Sequence, residues 1–389
     1  MNSLLILVVL VLLSIALWQL TKIFHLTQVG KTSDNTQVAN DKDNKVNGYL
    51  MFAFLVFIYA TTIYCIVKFG HFPLMDNAAS EHGKDVDQLM WISMILIFFV
   101  QTVTQALLHY FAFKYRGRKD QKATYFADNN KLEFIWSSIP AIVLAVLIFY
   151  GLYAWTDIMF VNEKVEKPIV IELYAQQFKW AARYSGEDDV LGKANVRYIE
   201  GINTLGVDMS DPNAQDDKVT DELHIPKGKK ILFKMRSQDV LHSAYMPHFR
   251  AQMNCVPGMV TQFAFTPTMT TSEMRDTEAM TEKVATINSI RSKKSVGLIA
   301  EGNPGLDPYT FDFLLLCNKI CGASHYNMQM KIIVDTPEDY NKWLKSKETV
   351  AQSVKAAAAA EAESKENPAK KDSTSVKKQT IVAQTVAMK

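Results

Sequence analysis

Charge of one sign is what this 389-residue chain most lacks: 42 Lys and Arg stand against 40 Asp and Glu, a formal net charge of +2. That balance, with no basic stripe interleaved with aromatics, excludes a nucleic-acid-binding surface. Cysteine is scarce too, at four residues: Cys65, Cys255, Cys317 and Cys321. Cys65 lies inside an apolar span and out of reach of the others, so the chain is no small disulfide scaffold. Cys255 reads as a small buried hydrophobe. No basic residue precedes the first apolar run and no small-residue cleavage site follows it. This argues for a retained helix with its N-terminus outside, not a removed signal peptide. A C-x-x-C-H haem-attachment run is also missing.

Long apolar runs, by contrast, fill the first 155 or so residues. Segments 3–20, 49–67, 89–113 and 132–155 are each about long enough to cross a ~30 Å hydrocarbon core. The loop over 70–87 carries Asp76, Glu81, Asp85 and Asp87 against Lys84 and suits the outer side. The next loop holds Lys114, Arg116, Arg118, Lys119 and Lys122. By the positive-inside rule it is cytoplasmic, which puts everything after about residue 158 outside.

From Lys167 the pattern changes to short alternating segments at 168–174, 231–235, 262–265 and 328–334, separated by turns such as Lys227-Gly228 and Pro257-Gly258. Such spacing predicts an all-β sandwich or barrel. Residues 266–306 form a polar insertion in which 272–280 is a candidate short helix. From residue 346 the chain is Lys, Ala, Glu, Ser and Thr with almost no aromatics, the composition of a disordered tail.

One stretch carries chemistry: Phe313-Leu-Leu-Leu-Cys317-Asn-Lys-Ile-Cys321-Gly-Ala-Ser-His325-Tyr-Asn-Met328. Two thiols, an imidazole and a thioether follow directly on a strand-like apolar run. Thiolate and thioether select copper, and imidazole suits both its oxidation states. Zinc would want four Cys or His ligands, and a thioether serves it poorly. C-x3-C alone would read as a surface disulfide in an exported domain; the His at +4 and the Met at +7 from the second Cys favour a metal. A second piece lies upstream, Asp239-Val-Leu-His242-Ser, followed by Val256-Pro257-Gly258-Met259. A lone histidine is more often packed or solvated than a ligand, but this context and the downstream cluster reverse that.

Together these pieces resemble subunit II of the haem–copper cytochrome c oxidases, over roughly residues 88 to 345. His242, Cys317, Cys321, His325 and Met328 fill the family's D-V-x-H-S and C-x3-C-x3-H-x2-M positions. The resemblance implies a transmembrane helical hairpin, here 89–113 and 132–155, followed by a cupredoxin-like Greek-key β-barrel; the two N-terminal spans are additional helices outside the family's pattern. It implies a dinuclear copper centre, CuA, with His242 and Met328 on one ion and His325 with the backbone carbonyl of Lys319 on the other. Electrons would come from a cytochrome c-type donor and pass to the haem of subunit I, where oxygen becomes water with proton translocation. Partners are then subunit I, further oxidase subunits, the donor and a membrane. The expected location is a bacterial inner membrane with the copper domain on its periplasmic side.

The domains read as an extra N-terminal region with two spans (1–87), a helical hairpin (88–158), the copper domain (159–345) and the tail (346–389). Leu132-Glu133-Phe-Ile-Trp136-Ser-Ser-Ile-Pro140 is similar to the start of the family's second span, which places Glu133 at the mouth of a proton channel. Two departures stand out. Lys319 replaces the family's Glu between the cysteines, so a Mg or Mn site through that carboxylate is in question. In Gln176-Gln177-Phe178-Lys179-Trp180, Phe178 takes the place of the family's electron-input Trp, and Trp180 fills its second Trp. Acidic residues between Glu187 and Glu222 would either steer a basic cytochrome or form a solvated face. Two other readings share the copper motif: a membrane-tethered copper carrier or assembly factor, and a nitrous oxide reductase-like electron-transfer protein.

Overall fold

The computed structural model describes residues 2–29, 41–70, 77–122, 125 and 127–366. The chain divides into two units, Met1–Phe72 with Ile92–Pro140, and Pro73–Trp91 with Ala141–Lys389. Four long helices come first: α1 (Asn2–Val29), α2 (Asp41–Phe69), α3 (Glu81–Lys114) and α4 (Asn130–Met159). Among the described residues α2, α3 and α4 are long and apolar enough to cross a membrane. The first expected span is helical as well, but its described apolar stretch, Val8–Phe24, is shorter than the other three. Asp41 and Asp43 open α2 and Lys68 closes it, each complementing the helix dipole. Gly48 lets the Phe113 ring lie on α2, where a Cβ would meet it at 2.7 Å. Asp41 also accepts the Lys119 N–H at 3.0 Å.

The second unit continues with a single turn, α5 (Glu163–Glu166), and ten strands: β1 (Ile169–Gln176), β2 (Lys179–Tyr184), β3 (Lys218–Thr220), β4 (Leu223–Pro226), β5 (Ile231–Ser237), β6 (His242–Met246), β7 (Ala251–Cys255), β8 (Thr261–Phe265), β9 (Phe313–Cys317) and β10 (Gln329–Asp335). They form two five-stranded mixed sheets, ordered β3-β2-β1-β5-β8 and β4-β10-β9-β6-β7. β1 with β5 and β4 with β10 are the parallel pairs. The expected β-barrel domain is therefore present, cupredoxin-like in its curled sheets. Its core takes Ile171, Leu173, Phe233 and Phe265 from one sheet and Ala244, Met246, Phe313, Leu315 and Ile332 from the other.

β1 is buried on both faces, which explains its unbroken apolar run. Its outer face is covered by the 185–217 loop and the C-terminal segment, where Tyr174 packs with Leu205, Val207, Ala214 and Val350. The acids of that loop tie the loop itself. Asp216 accepts the Glu187 and Asp188 N–H groups, Asp211 that of Lys193, and Asp208 that of Ser210. They support the reading of a built loop over that of a steering field.

Two segments depart from expectation. The 266–306 insertion is largely helical: α6 (Thr271–Arg275), closed by a Thr270–Glu273 capping box, then α7 (Glu278–Ala300). A chain strap runs back along α7, with Asn288 bonded both ways to Tyr309 and Ser295 Oγ accepting the Leu306 N–H. Met280 and Val284 anchor its start against the core, but beyond them side-chain bonds to backbone hold this helix, and with no apolar stripe along it periodicity shows no sign of it. The tail expected to be disordered from residue 346 is helical over α9 (Val350–Glu366). It follows α8 (Pro337–Ser346), and buried Val350 and Ala351 anchor it, with the Val350 N–H on the Asp217 carbonyl at 2.7 Å. The rest of that tail, 367–389, lies outside the described residues.

The outer face of the first sheet also buries an ion network. Glu172 on β1 pairs with Arg183 of β2 at 2.6 Å and with Arg236 of β5, and Arg183 reaches Asp217 at 2.8 Å. Burial alone would raise the Glu172 carboxyl; the two guanidinium groups overcome it and hold the group below its usual range. Removing one partner strands the others in a dry site. Glu172→Gln is expected to cost about 3–5 kcal/mol, read as a lowered thermal midpoint of the β-sheet circular dichroism signal of the detergent-solubilised chain.

Candidate metal centre

Strand pairing assembles the centre. β6 and β9 are antiparallel with Ala244 opposite Cys317, so His242 at the start of β6 meets the end of β9. β10 pairs back on β9, and the Cys317 N–H donates to the Met328 carbonyl at 3.2 Å. The loop 318–328 is thereby closed over one end of the domain. The Asn318 N–H donates to the Ser243 carbonyl at 3.1 Å, and a one-turn helix, His325–Asn327, lifts His325 back toward the cysteines.

Every side chain expected to bind metal converges there. His242 Nδ1 is 3.7 Å from Cys317 Sγ, and the two sulfurs are 3.9 Å apart. His325 Nδ1 lies 3.6 Å and Met328 Sδ 3.8 Å from Cys321 Sγ. The Lys319 carbonyl oxygen stands 3.2 Å from Cys317 Sγ, while its side chain faces solvent. One ligand atom each from His242, Cys317 and Cys321 falls within 4.8 Å of the others. Both thiols are free, and their separation is far beyond a disulfide bond.

The donor set suits copper. It offers two sulfurs that can each be shared, an imidazole beside each, a thioether and a carbonyl. That is too many for one tetrahedral zinc and is soft in character. Burial, then the neighbouring Cys317, pushes the Cys321 thiol up to about 11. A metal entering at neutral pH must therefore displace its proton. Cys255, across the ladder from His242, is fully buried and pushed up to about 12 by burial, so it stays a protonated thiol in the core.

Some supporting residues carried no role in the sequence reading. His242 Nε2 donates to Asp239 at 2.8 Å, which fixes the tautomer and turns Nδ1 to the sulfur. Burial would raise the Asp239 carboxyl, but bonds from the Gln177 N–H, the imidazole and the Val240 N–H hold it below the ordinary range. The Gln177 side chain donates to the Cys321 carbonyl. Gly322 has φ +142, and a Cβ there would come within 2.8 Å of the Phe178 ring. Asp three residues before the His was the one signal that could have found Asp239. The aromatic pair divides in two: Phe178, half-buried in the β1–β2 turn, lies on the copper loop, whereas Trp180 is buried with its ring edge-on to His242, centroids 6.3 Å apart. Glu133 is exposed in the first turn of α4.

Residues 68–153 match the family model described as cytochrome C oxidase subunit II, transmembrane domain, and residues 169–273 match cytochrome C oxidase subunit II, periplasmic domain. The alternative cytochrome c oxidase subunit 2 of Bradyrhizobium diazoefficiens is 32% identical over 268 residues, covering 68% of this chain and 81% of that one. Cytochrome c oxidase subunit 2 of Thermostichus vulcanus is 23% identical over 307 residues, 72% of this chain and 80% of that one. Among solved structures, the periplasmic domain of subunit II of cytochrome oxidase from Bradyrhizobium japonicum is matched over 46% of this chain and 91% of that one at 15% identity, with a TM-score of 0.26. The periplasmic match ends at residue 273, where the α6–α7 insertion stands, and the β6–β9 pairing brings the cysteine loop beyond it to His242.

Asp239→Asn is expected to weaken copper binding about 10–100-fold, measured by competition with a Cu(I) chelator. The same titration in unaltered protein should show protons released on loading and apparent affinity falling as pH is lowered, because protons and copper compete for the thiols.

Proposed function

Because the chain belongs to the cytochrome c oxidase subunit II family, we propose that its cysteine loop and His242 hold the two copper ions of a CuA centre. The chain is an integral membrane protein with a periplasmic copper domain, and it works as part of an oxidase. The observation that carries the copper reading is the meeting of His242, Cys317, Cys321, His325, Met328 and the Lys319 carbonyl at one end of the domain, with neighbouring donor atoms 3.2–3.9 Å apart. In this reading Cys317, Cys321, His242, Met328, His325 and the Lys319 carbonyl would together hold the copper pair.

When bound, the copper pair supplies a one-electron relay between a c-type cytochrome and the haem of subunit I. The chain's own residues set the conditions for that relay. Asp239 orients His242, and the Gln177 bond steadies the Cys321 backbone. The cage of protein donors leaves no position for a substrate, which suits outer-sphere transfer over catalysis at the metal. Lys319 brings an ammonium where a carboxylate would hold Mg or Mn, so the residue serves through its carbonyl alone. Phe178, half-exposed and seated on Gly322, is the better-placed electron-input aromatic; Trp180 is a buried neighbour of His242. Glu133 is exposed in the first turn of α4, and its L-E-x-I-W context assigns it proton entry in this reading. A single-copper carrier would need only about half of this donor set.

The purified complex is expected to contain two coppers per chain at this site, with a mixed-valence visible spectrum. Cys321→Ser should lose both that spectrum and cytochrome-driven turnover. Phe178→Leu should keep the spectrum and slow reduction by the donor severalfold in stopped-flow mixing. Glu133→Gln should leave that reduction intact and slow proton uptake during turnover. One copper per chain, or a Glu133→Gln complex with unaltered proton uptake, would remove the corresponding assignment.

A further inference from the structure

The surface around the sulfur cluster is apolar. Ile320 and Tyr326, in the copper loop itself, are 90% and 88% exposed. Leu241 beside His242, and Met259 and Val260 in the turn after β7, are exposed as well. Single exposed apolar residues are ordinary, but these gather on turns that meet over one site. Those turns are joined to each other. Gln177 bonds to Asp239 and to the Cys321 carbonyl, Phe178 packs on Gly322, and Ser237 bridges to Pro257.

Charge on the same turns, residues 176–179, 238–242, 256–260 and 318–328, is limited to Lys179, Lys319 and Asp239. Both lysines are exposed. The Asp239 carboxylate is taken up by the Gln177 and Val240 N–H groups and by His242. What faces outward is thus apolar with a positive rim. In the 187–222 loop, Asp216 and Asp211 accept N–H groups of their own loop.

Resting on the copper-relay reading above, which already brings the donor to this end of the domain, we propose what kind of donor its surface selects. It fits a redox protein whose cofactor edge lies in an apolar face rimmed with carboxylates, not lysines. A donor must bring its cofactor close to Cys321, and exposed Ile320 and Tyr326 belong to the same loop. Apolar contact there expels water, and complementary charge at the rim sets orientation and partner choice. A lysine-rimmed donor would oppose Lys179 and Lys319 across a desolvated contact.

The test uses the intact oxidase complex in detergent and two probes, a basic monohaem cytochrome c and the same protein with its lysines succinylated. The succinylated probe is expected to show the lower KM, with kcat/KM falling as salt rises. Lys179→Glu should shift the preference toward the basic probe. Tyr326→Ser combined with Met259→Ser should raise KM for the succinylated probe about tenfold. The proposal is overturned if the unaltered complex prefers the basic probe with kcat/KM falling as salt rises, or if the double variant leaves KM unmoved. Protection of Lys179 from acylation within the complex overturns it too, since a companion subunit would then cover the patch. Copper content and visible absorption on the same samples separate the two failures. Their absence from unaltered protein sinks the relay reading, whereas their presence with an unmoved KM sinks the docking surface alone.

Discussion

The pairing of β6 with β9 is the constraint on which the copper end of this molecule depends. On β6, His242 shares its side with Ala244 and Met246; on β9, Cys317 shares its side with Phe313 and Leu315. The four apolar residues enter the same core. The alternation that buries them therefore aims the imidazole and the first thiol toward each other, across 75 residues of chain. A one-residue slip would turn both the core set and the ligands outward. Packing energy and site geometry are thus enforced by the same register.

Above that register the donors are held by bonds that need no metal. Asp239 turns the His242 ring, Asn318 ties the loop to the Ser243 carbonyl, and Gln177 reaches the Cys321 carbonyl. Gly322 admits the Phe178 ring against the loop. Little rearrangement is then left for loading or for a change of charge at the site. A preorganised cage of this kind favours electron transfer, whose barrier grows with the movement required of the ligands and their surroundings.

Much of this was legible in the sequence, and for reasons that can be named. The copper loop is short, so its two Cys, His and Met stand together in the sequence, while the family resemblance adds the Lys319 carbonyl and, through D-V-x-H-S, His242. Helices α2 to α4 announce themselves by length and hydropathy, since nothing but a helix satisfies twenty apolar residues in lipid. The parts that were not legible depend on partners distant in the chain. α7 has no apolar stripe and is held by Asn288, Arg291 and Ser295 bonding to the strap that follows it. α9 begins in a low-complexity composition, yet Val350 finds a pocket made by Tyr174, Leu205 and Val207. Gln177 and Gly322 look like ordinary turn residues until the β1–β2 turn and the copper loop are brought together.

Lys319 shows how one residue can serve two environments. Its carbonyl is turned to the Cys317 sulfur, which sends the side chain away from the site and into solvent. An ammonium so placed interacts with the metal largely through water, where the interaction is weak and salt removes much of it beyond about 8–10 Å. Any effect on the copper potential is correspondingly small. The same charge faces an arriving protein directly, and contact between the two surfaces strips away the water that screened it. Replacement of a carboxylate by an ammonium at this position therefore acts mainly on who can dock, and only weakly on the metal beneath.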